Sequence, residues 1–245
     1  MGQTPGFCVW ANERPKGPEL RVETVVESEV VELLARADIC PVCSARSKAV
    51  DGWIYGAFYN LLHNEDARFR LKSGGLCREH SRRIVEMARE KSDIGSLPVS
   101  VVFKELLFGQ LNLIGPGERK LFKRVSSSRN TSGCHLCEVS RESEKRYVIA
   151  IAKFFDSEKI RKLYEESSSI LCIDHAREVA ASMRAATVEW FVTLQKSKIE
   201  SVIEMLERYI GKNDYRNTSP IGEERNAWLT ASRIIGETRV TGRNE

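Results

Sequence analysis

The sequence predicts an all-α fold, and three observations carry that prediction. No stretch of useful length alternates apolar and polar residues as a half-buried strand does. Apolar residues instead recur at helical spacing along most of the 245 residues. Finally, Cys40-Pro41-Val42-Cys43 is answered 34 residues later by Cys77-Arg78-Glu79-His80, and Cys134-His135-Leu136-Cys137 is answered 35 residues later by Cys172-Ile173-Asp174-His175. The nearly equal gaps point to two copies of one metal-pinned helical module.

From Arg21 to Ile39, Val22, Val25, Val26, Val30, Val31, Leu33 and Leu34 make one broad helical stripe that delivers the chain to Cys40. Pro41 suits the first position of the next helix, where its missing N–H would be unpaired in any case. That helix runs to about Leu62 with Val50, Trp53, Ile54, Ala57, Phe58 and Leu61 on its buried face. A shorter helix over about Glu65–Leu71 leads to the turn Ser73-Gly74-Gly75, and another continues from Cys77 through His80, Ile84, Val85 and Met87. Leu97–Ile114 is a further apolar helix, ended by Gly115-Pro116-Gly117.

The second module repeats the plan, with helices over Leu136–Phe155 and Ser157–Glu166 and with Ser167-Ser168-Ser169 in place of the glycine turn. Trp53 and Tyr147 each lie ten residues beyond the second cysteine of their module, and Phe69 and Tyr164 each lie eight before the third. Matched aromatics of this kind suggest that the two copies pack their helices alike, although core filling alone would also place aromatics there. After His175 one helix continues through Met183 and a longer one spans about Thr187–Ile210, with Gly211 as its C-terminal cap. The polar turn Asn213–Asn217 precedes a final helix over about Gly222–Ile235 that holds Trp228. The expected organisation is therefore a tail over 1–20, a first module over 21–115 and a basic linker over 116–133. A second module over 134–185, a C-terminal helical extension over 186–236 and a tail over 237–245 complete it.

Composition narrows the function classes. Hydrophobic residues make up 42% and charged residues 29%, as in an ordinary soluble globular protein. No apolar run reaches the length that spans a bilayer, and Met1–Leu20 has no basic-then-apolar signal pattern, so a cytoplasmic location is expected. Six of the seven cysteines fall in the two ligand sets and only Cys8 is left over, which suits a reducing compartment rather than a disulfide framework. The net charge of +4 permits contact with nucleic acid without arguing for it.

Three thiols and one imidazole are the donor set of a closed tetrahedral zinc site. Taken in chain order, Cys40, Cys43, Cys77 and His80 would hold one ion, and Cys134, Cys137, Cys172 and His175 a second. Thiolates suit helix N-termini, where unpaired N–H groups and the helix dipole favour negative charge. Closing a loop of this length removes unfolded-chain entropy of about 3–4 kcal/mol by analogy with a disulfide. Four protein ligands leave no open position for a substrate, so a structural role is expected of both ions.

Other residues offer less. The linker residues Arg119, Lys120, Lys123 and Arg124 suit phosphates, but a solvated linker explains them as well, and no aromatics are interleaved with them. His135, between two expected ligands, suits a replacement for a cysteine, a hydrogen bond to a thiolate or an exposed helix start, and His63 has no readable partner. Asp214, Tyr215 and Arg216 are the candidates for contact with a ligand or partner, against a local role in which Asp214 caps a turn and Arg216 pairs with Glu223 or Glu224. There is no glycine-rich phosphate loop, nucleophile motif or hydrolytic His-Glu pair, so the sequence leans away from an enzyme.

Ile39-Cys40-Pro41-Val42-Cys43, Gly75-Leu76-Cys77-Arg78-Glu79-His80 and Cys134-His135-Leu136-Cys137-Glu138 give the chain, from about Val30 to Gly236, a resemblance to a family. It is an uncharacterised prokaryotic family of helical proteins with two Cys-x-x-Cys … Cys-x-x-His modules. Asn213-Asp214-Tyr215-Arg216, followed by Glu223-Glu224 and Ala227-Trp228, resembles its C-terminal motif. The resemblance implies a cytosolic metal-binding protein and carries no established activity. The expected function is zinc-stabilised binding or scaffolding, with two zinc ions and another protein, or less readily a nucleic acid, as partner. Two alternatives use the same ligands: iron–sulfur clusters in a redox protein, and a zinc–thiolate switch that ejects its metal on oxidation.

Overall fold

In the computed structural model, residues 25–35, 40–59, 64–111 and 133–236 are described, and every regular element among them is helical. Four of the helices begin on a cysteine. Cys40 immediately precedes α2 (Pro41–Tyr59), Cys77 precedes α4 (Arg78–Glu90), Cys134 precedes α6 (His135–Phe154) and Cys172 precedes α8 (Ile173–Ser182). Cys77, Cys134 and Cys172 have the extended backbone of an N-cap, and Glu79, Glu138 and Asp174 place a carboxylate in the first turn that follows. The remaining helices are α1 (Val25–Ala35), α3 (Glu65–Gly74), α5 (Ser96–Leu111), α7 (Glu158–Glu166), α9 (Ala185–Lys212) and α10 (Ala227–Ile235), the last entered through a 3₁₀ turn at Glu223–Asn226.

Among the described helices, α2 and α6 pack most extensively against each other. They run antiparallel: Ser143 Oγ donates to the carbonyl of Ala45 at 3.3 Å, and the Trp53 and His135 rings meet at 4.8 Å, further along α2 but nearer the start of α6. The start of each helix therefore lies beside the end of the other. One apolar core gathers Val30, Leu33 and Leu34 of α1, Val42 and Ala45 at the start of α2, and Val148 and Ile151 late in α6, together with Phe155, Tyr164 and Phe191. The second gathers Val50, Ile54 and Phe58 late in α2, Leu71 of α3, Ile84 and Met87 of α4, Val102 of α5, and Leu136 at the start of α6. Each core draws on both halves of the chain.

Two sequence expectations change here. Phe69 is 69% exposed whereas Tyr164 is fully buried, so the matched aromatics do not pack alike. The cause is local: Tyr164 is enclosed by Phe155 and Phe191, with ring centroids at 5.1 and 6.3 Å, while Phe69 points away from the second core. Gly211 is not a cap, because α9 continues through it to Lys212 and Asn213 stands at the C-cap, its Nδ2 donating to the carbonyl of Tyr209 at 2.7 Å.

Candidate metal centres

A Cys-x-x-Cys or Cys-x-x-His pair that starts a helix places its first side chain at the N-cap and its second at the third helical residue. These positions face each other across the first turn, as in a capping box. At α4 the contact is direct, with Cys77 Sγ accepting from the backbone N–H of His80 at 3.4 Å. One helix start thus supplies two donors, and a four-donor site needs two helix starts side by side.

The starts that meet are not the ones chain order suggests. Cys40 and Cys43 at α2 meet Cys172 and His175 at α8, and Cys77 and His80 at α4 meet Cys134 and Cys137 at α6. Each half of the chain gives its Cys-x-x-Cys to one site and its Cys-x-x-His to the other. This corrects the chain-order partition, and the reason is the antiparallel pair of α2 and α6. Ala45 lies against Ser143, so the start of α2 lies beside the second half of α6, where α8 packs, and not beside α4.

The donor spacing tests the fit of a metal. A tetrahedral ion with Zn–S near 2.3 Å and Zn–N near 2.05 Å requires S···S edges of about 3.8 Å and S···N edges of about 3.5 Å. In the Cys40 site, Cys43 Sγ and Cys172 Sγ are 3.9 Å apart, and His175 Nδ1 lies 3.4, 3.3 and 3.0 Å from the sulfurs of Cys40, Cys43 and Cys172. In the Cys77 site, Cys77 Sγ and Cys137 Sγ are 3.6 Å apart, and His80 Nδ1 lies 3.1, 3.5 and 3.3 Å from the sulfurs of Cys77, Cys134 and Cys137. Each cluster is therefore the size of the donor shell of a single ion and can hold one. None of these six cysteines is in a disulfide.

Within each cluster the sulfurs and the imidazole shift one another's titration. Burial opposes charge on His175, but the Cys172 and Cys40 sulfurs outweigh it and hold the imidazole up to about 11. Cys172 is pushed well down by its hydrogen bonds with Cys40 and Cys43, while Cys43 is pushed well up by the same sharing with Cys172. In the Cys77 site, burial raises the Cys134 thiol, yet the hydrogen bond with His80 and those from backbone at Cys77 and Cys137 bring it to about 6. Burial and the neighbouring Cys134 raise Cys137. Three clustered sulfurs cannot all ionise without a positive charge among them.

The sites differ in what surrounds them. In the Cys40 site all four residues are buried, at 3–4% exposure, and His175 Nε2 meets Glu144 Oε1 at 3.0 Å. Glu144 is itself held by Arg46 Nη1 at 3.4 Å. A carboxylate behind a ligating imidazole fixes its tautomer and ring orientation and raises its basicity. The approach to Cys172 is clamped by α7 and α9. Tyr164 Oη donates to Gln195 Oε1 at 2.6 Å and accepts from the N–H of Leu171 at 3.3 Å, and Gln195 Nε2 donates to the carbonyl of Leu171 at 2.7 Å. Lys198 Nζ donates to the carbonyl of Ser167.

In the Cys77 site His80 and Cys134 are buried, at 6% and 5% exposure, but Cys77 and Cys137 are partly exposed. Among the described residues no carboxylate bonds to His80. The approach to Cys77 is set by backbone contact: a Cβ on Gly74 would lie 2.1 Å from the carbonyl oxygen of Gly133, one residue before Cys134. Gly75 follows at φ +69°, where glycine is favoured.

Glu144 was missed by the sequence reading, because a glutamate in mid-helix reads as solvated surface. His135 joins neither cluster and is not exposed. Its side chain is 13% exposed, its ring packs on Trp53, and its Nδ1 lies 3.4 Å from Glu138 Oε2. Asp214 caps its turn as one reading had it, accepting from the backbone N–H of Arg216 at 2.9 Å. The expected partner of Arg216 is corrected: its guanidinium reaches Asp214 at 3.1 Å, while Glu224 takes Lys212 Nζ and the N–H of Gly222, both at 2.7 Å. Local bonding thus occupies Asp214 and Arg216, and Tyr215 stands 91% exposed. The linker residues Arg119, Lys120, Lys123 and Arg124, and His63, lie outside the described residues.

Comparison with known proteins adds one relative. An uncharacterized 23.9 kDa protein in the xynA 3′ region of Caldicellulosiruptor sp. (strain Rt8B.4) is 24% identical over 209 residues, covering 83% of this chain and 98% of the relative. No family model matches, and no solved structure does. Among the described residues no helix is long and apolar enough to cross a membrane.

Proposed function

We propose that this protein is a cytosolic, zinc-stapled helical scaffold whose two metals fix four helix starts and whose outer surface binds another protein. The supporting observation is the crossed clustering: each set of four donors comes two from each half of the chain, and an ion held by all four would have no open position for a substrate. The donor spacing favours single ions over iron–sulfur clusters, which seat their thiolates on separate irons and so spread them beyond the edge of one tetrahedron. Six thiols without a disulfide suit a reducing compartment. A protein partner is supported by the apolar end of α5, where Leu107, Phe108 and Leu111 are exposed.

Metal analysis with an absorption spectrum, on protein purified without oxygen, tests the reading. Two zinc ions per chain, no visible absorption and a lowered melting temperature after chelation are the expected results. Iron with sulfide and a brown chromophore would overturn it and favour an electron carrier.

A further inference from the structure

The Cys77 site places its two partly exposed sulfurs next to each other. Cys77 stands at the N-cap of α4 and Cys137 in the first turn of α6, with their sulfurs 3.6 Å apart, while Cys134 and His80 lie buried behind them. A disulfide bond requires about 2.05 Å, so a closure of roughly 1.5 Å joins them. In the Cys40 site Cys43 and Cys172 are almost as close, at 3.9 Å, but both are buried and the imidazole beside them is held by Glu144. Access to an oxidant therefore separates the sites more than sulfur spacing does.

We infer that the Cys77 site is an oxidant-responsive modification site, at which a peroxide joins Cys77 to Cys137 and releases the metal while the Cys40 site keeps its own. The inference rests on the metal-centre reading above. In the first step one thiolate attacks an oxygen of hydrogen peroxide, forming a sulfenic acid and expelling hydroxide. In the second the other thiolate attacks that sulfur, the S–S bond forms and a second hydroxide leaves. The two sulfurs give up two electrons, the peroxide accepts them, and two protons from solvent turn both hydroxides into water. The metal is left with Cys134 and His80 and dissociates as the hydrated cation. The new bond takes over the metal's task of holding α4 to α6, so oxidation exchanges one link for another and leaves the pair of α2 and α6 in place.

The test uses the full metal-loaded chain. Stoichiometric hydrogen peroxide is added, metal release is followed with a chromogenic chelator, and the cysteines are mapped by alkylation and peptide mass spectrometry. The expected result is release of one ion at least about tenfold faster than the other. A Cys77–Cys137 peptide should appear with the same time course, with Cys40, Cys43 and Cys172 alkylated only after unfolding, and thiol reductant with added zinc should restore the starting state. Release of both ions at one rate, or a disulfide between other cysteines, would overturn the inference and leave the metal-centre reading intact. A chain that takes up no metal before oxidant is added would overturn both.

Discussion

The Cys40 and Cys77 sites have the same donors at the same helix positions, yet they are held in different ways. Polar side chains hold the first: Glu144 and Arg46 behind His175, and Tyr164, Gln195 and Lys198 around the approach to Cys172. A backbone contact holds the second, glycine against glycine, and two of its sulfurs reach the surface. Two Cys3His clusters can therefore share a donor formula and differ in how they are enclosed, and burial and hydrogen bonding around such donors set how readily a site opens.

The comparison depends on the crossed partition, and a pair of double substitutions would break it outright. In Cys40→Ser/Cys77→Ser the crossed arrangement damages both sites, so bound metal should fall from two ions to about none in native mass spectrometry, whereas chain-order pairing would spare one. Cys77→Ser/Cys134→Ser should leave one ion, held by the Cys40 site. Retention of one ion in the first variant and none in the second would restore chain-order pairing.

Gly74→Ala addresses the backbone contact. The new Cβ would meet the carbonyl of Gly133 at 2.1 Å, a clash with backbone that no rotamer relieves. The expected cost is about 1–3 kcal/mol in thermal or denaturant unfolding, with loss of metal from the Cys77 site alone. An unchanged melting temperature would show that the approach of α3 to α6 is not what sets that site.

Glu144→Gln addresses the polar support. Affinity at the Cys40 site should fall about 10- to 100-fold in competition with a chelator, and the Cys77 site should be unaffected. The two sites then come closer in affinity, and equal losses at both would mean that Glu144 acts on the fold rather than on His175.

The smallest effect belongs to a control at a carboxylate that is part of neither cluster. The Gly222 N–H, and then Lys212, hold the carboxyl of Glu224 down to about 2 from an ordinary 4.5. A group whose folded pKa is lowered stabilises the fold above its unfolded pKa, and that contribution fades as pH falls from about 4.5 through about 2. The Trp228 indole resonance should report this loosening in acid, Glu224→Gln should flatten it, and neither should alter metal affinity at neutral pH.

That these cysteines and histidines would cluster was legible in the sequence, and which of them share a cluster was not. Cys-x-x-Cys and Cys-x-x-His report that two donors share a helix start, and each pair here does begin a helix. Which starts meet depends on the direction in which α2 packs against α6, and periodicity gives a helix its apolar face but not its partner. Helix positions were recoverable for the same reason: the stripe read over Thr187–Ile210 became α9 over Ala185–Lys212. Glu144 stayed hidden because its role depends on His175, which lies 31 residues away in sequence. Arg216 was misassigned because a partner two residues away competed with distant ones, and local closure won.

Crossed ligation also bears on how the chain is made. Cys40, Cys43, Cys77 and His80 leave the ribosome before Cys134, which follows His80 by 54 residues. The nascent chain thus carries a complete four-donor set before any native partner exists. A metal captured then would join the wrong helix starts, and the finished protein would have to exchange ligands to reach its final form. Folding that waits for the second half, or metal that arrives late, avoids the trap. A metal that joins the four helix starts only after the second half is made would meet the crossed clusters already assembled.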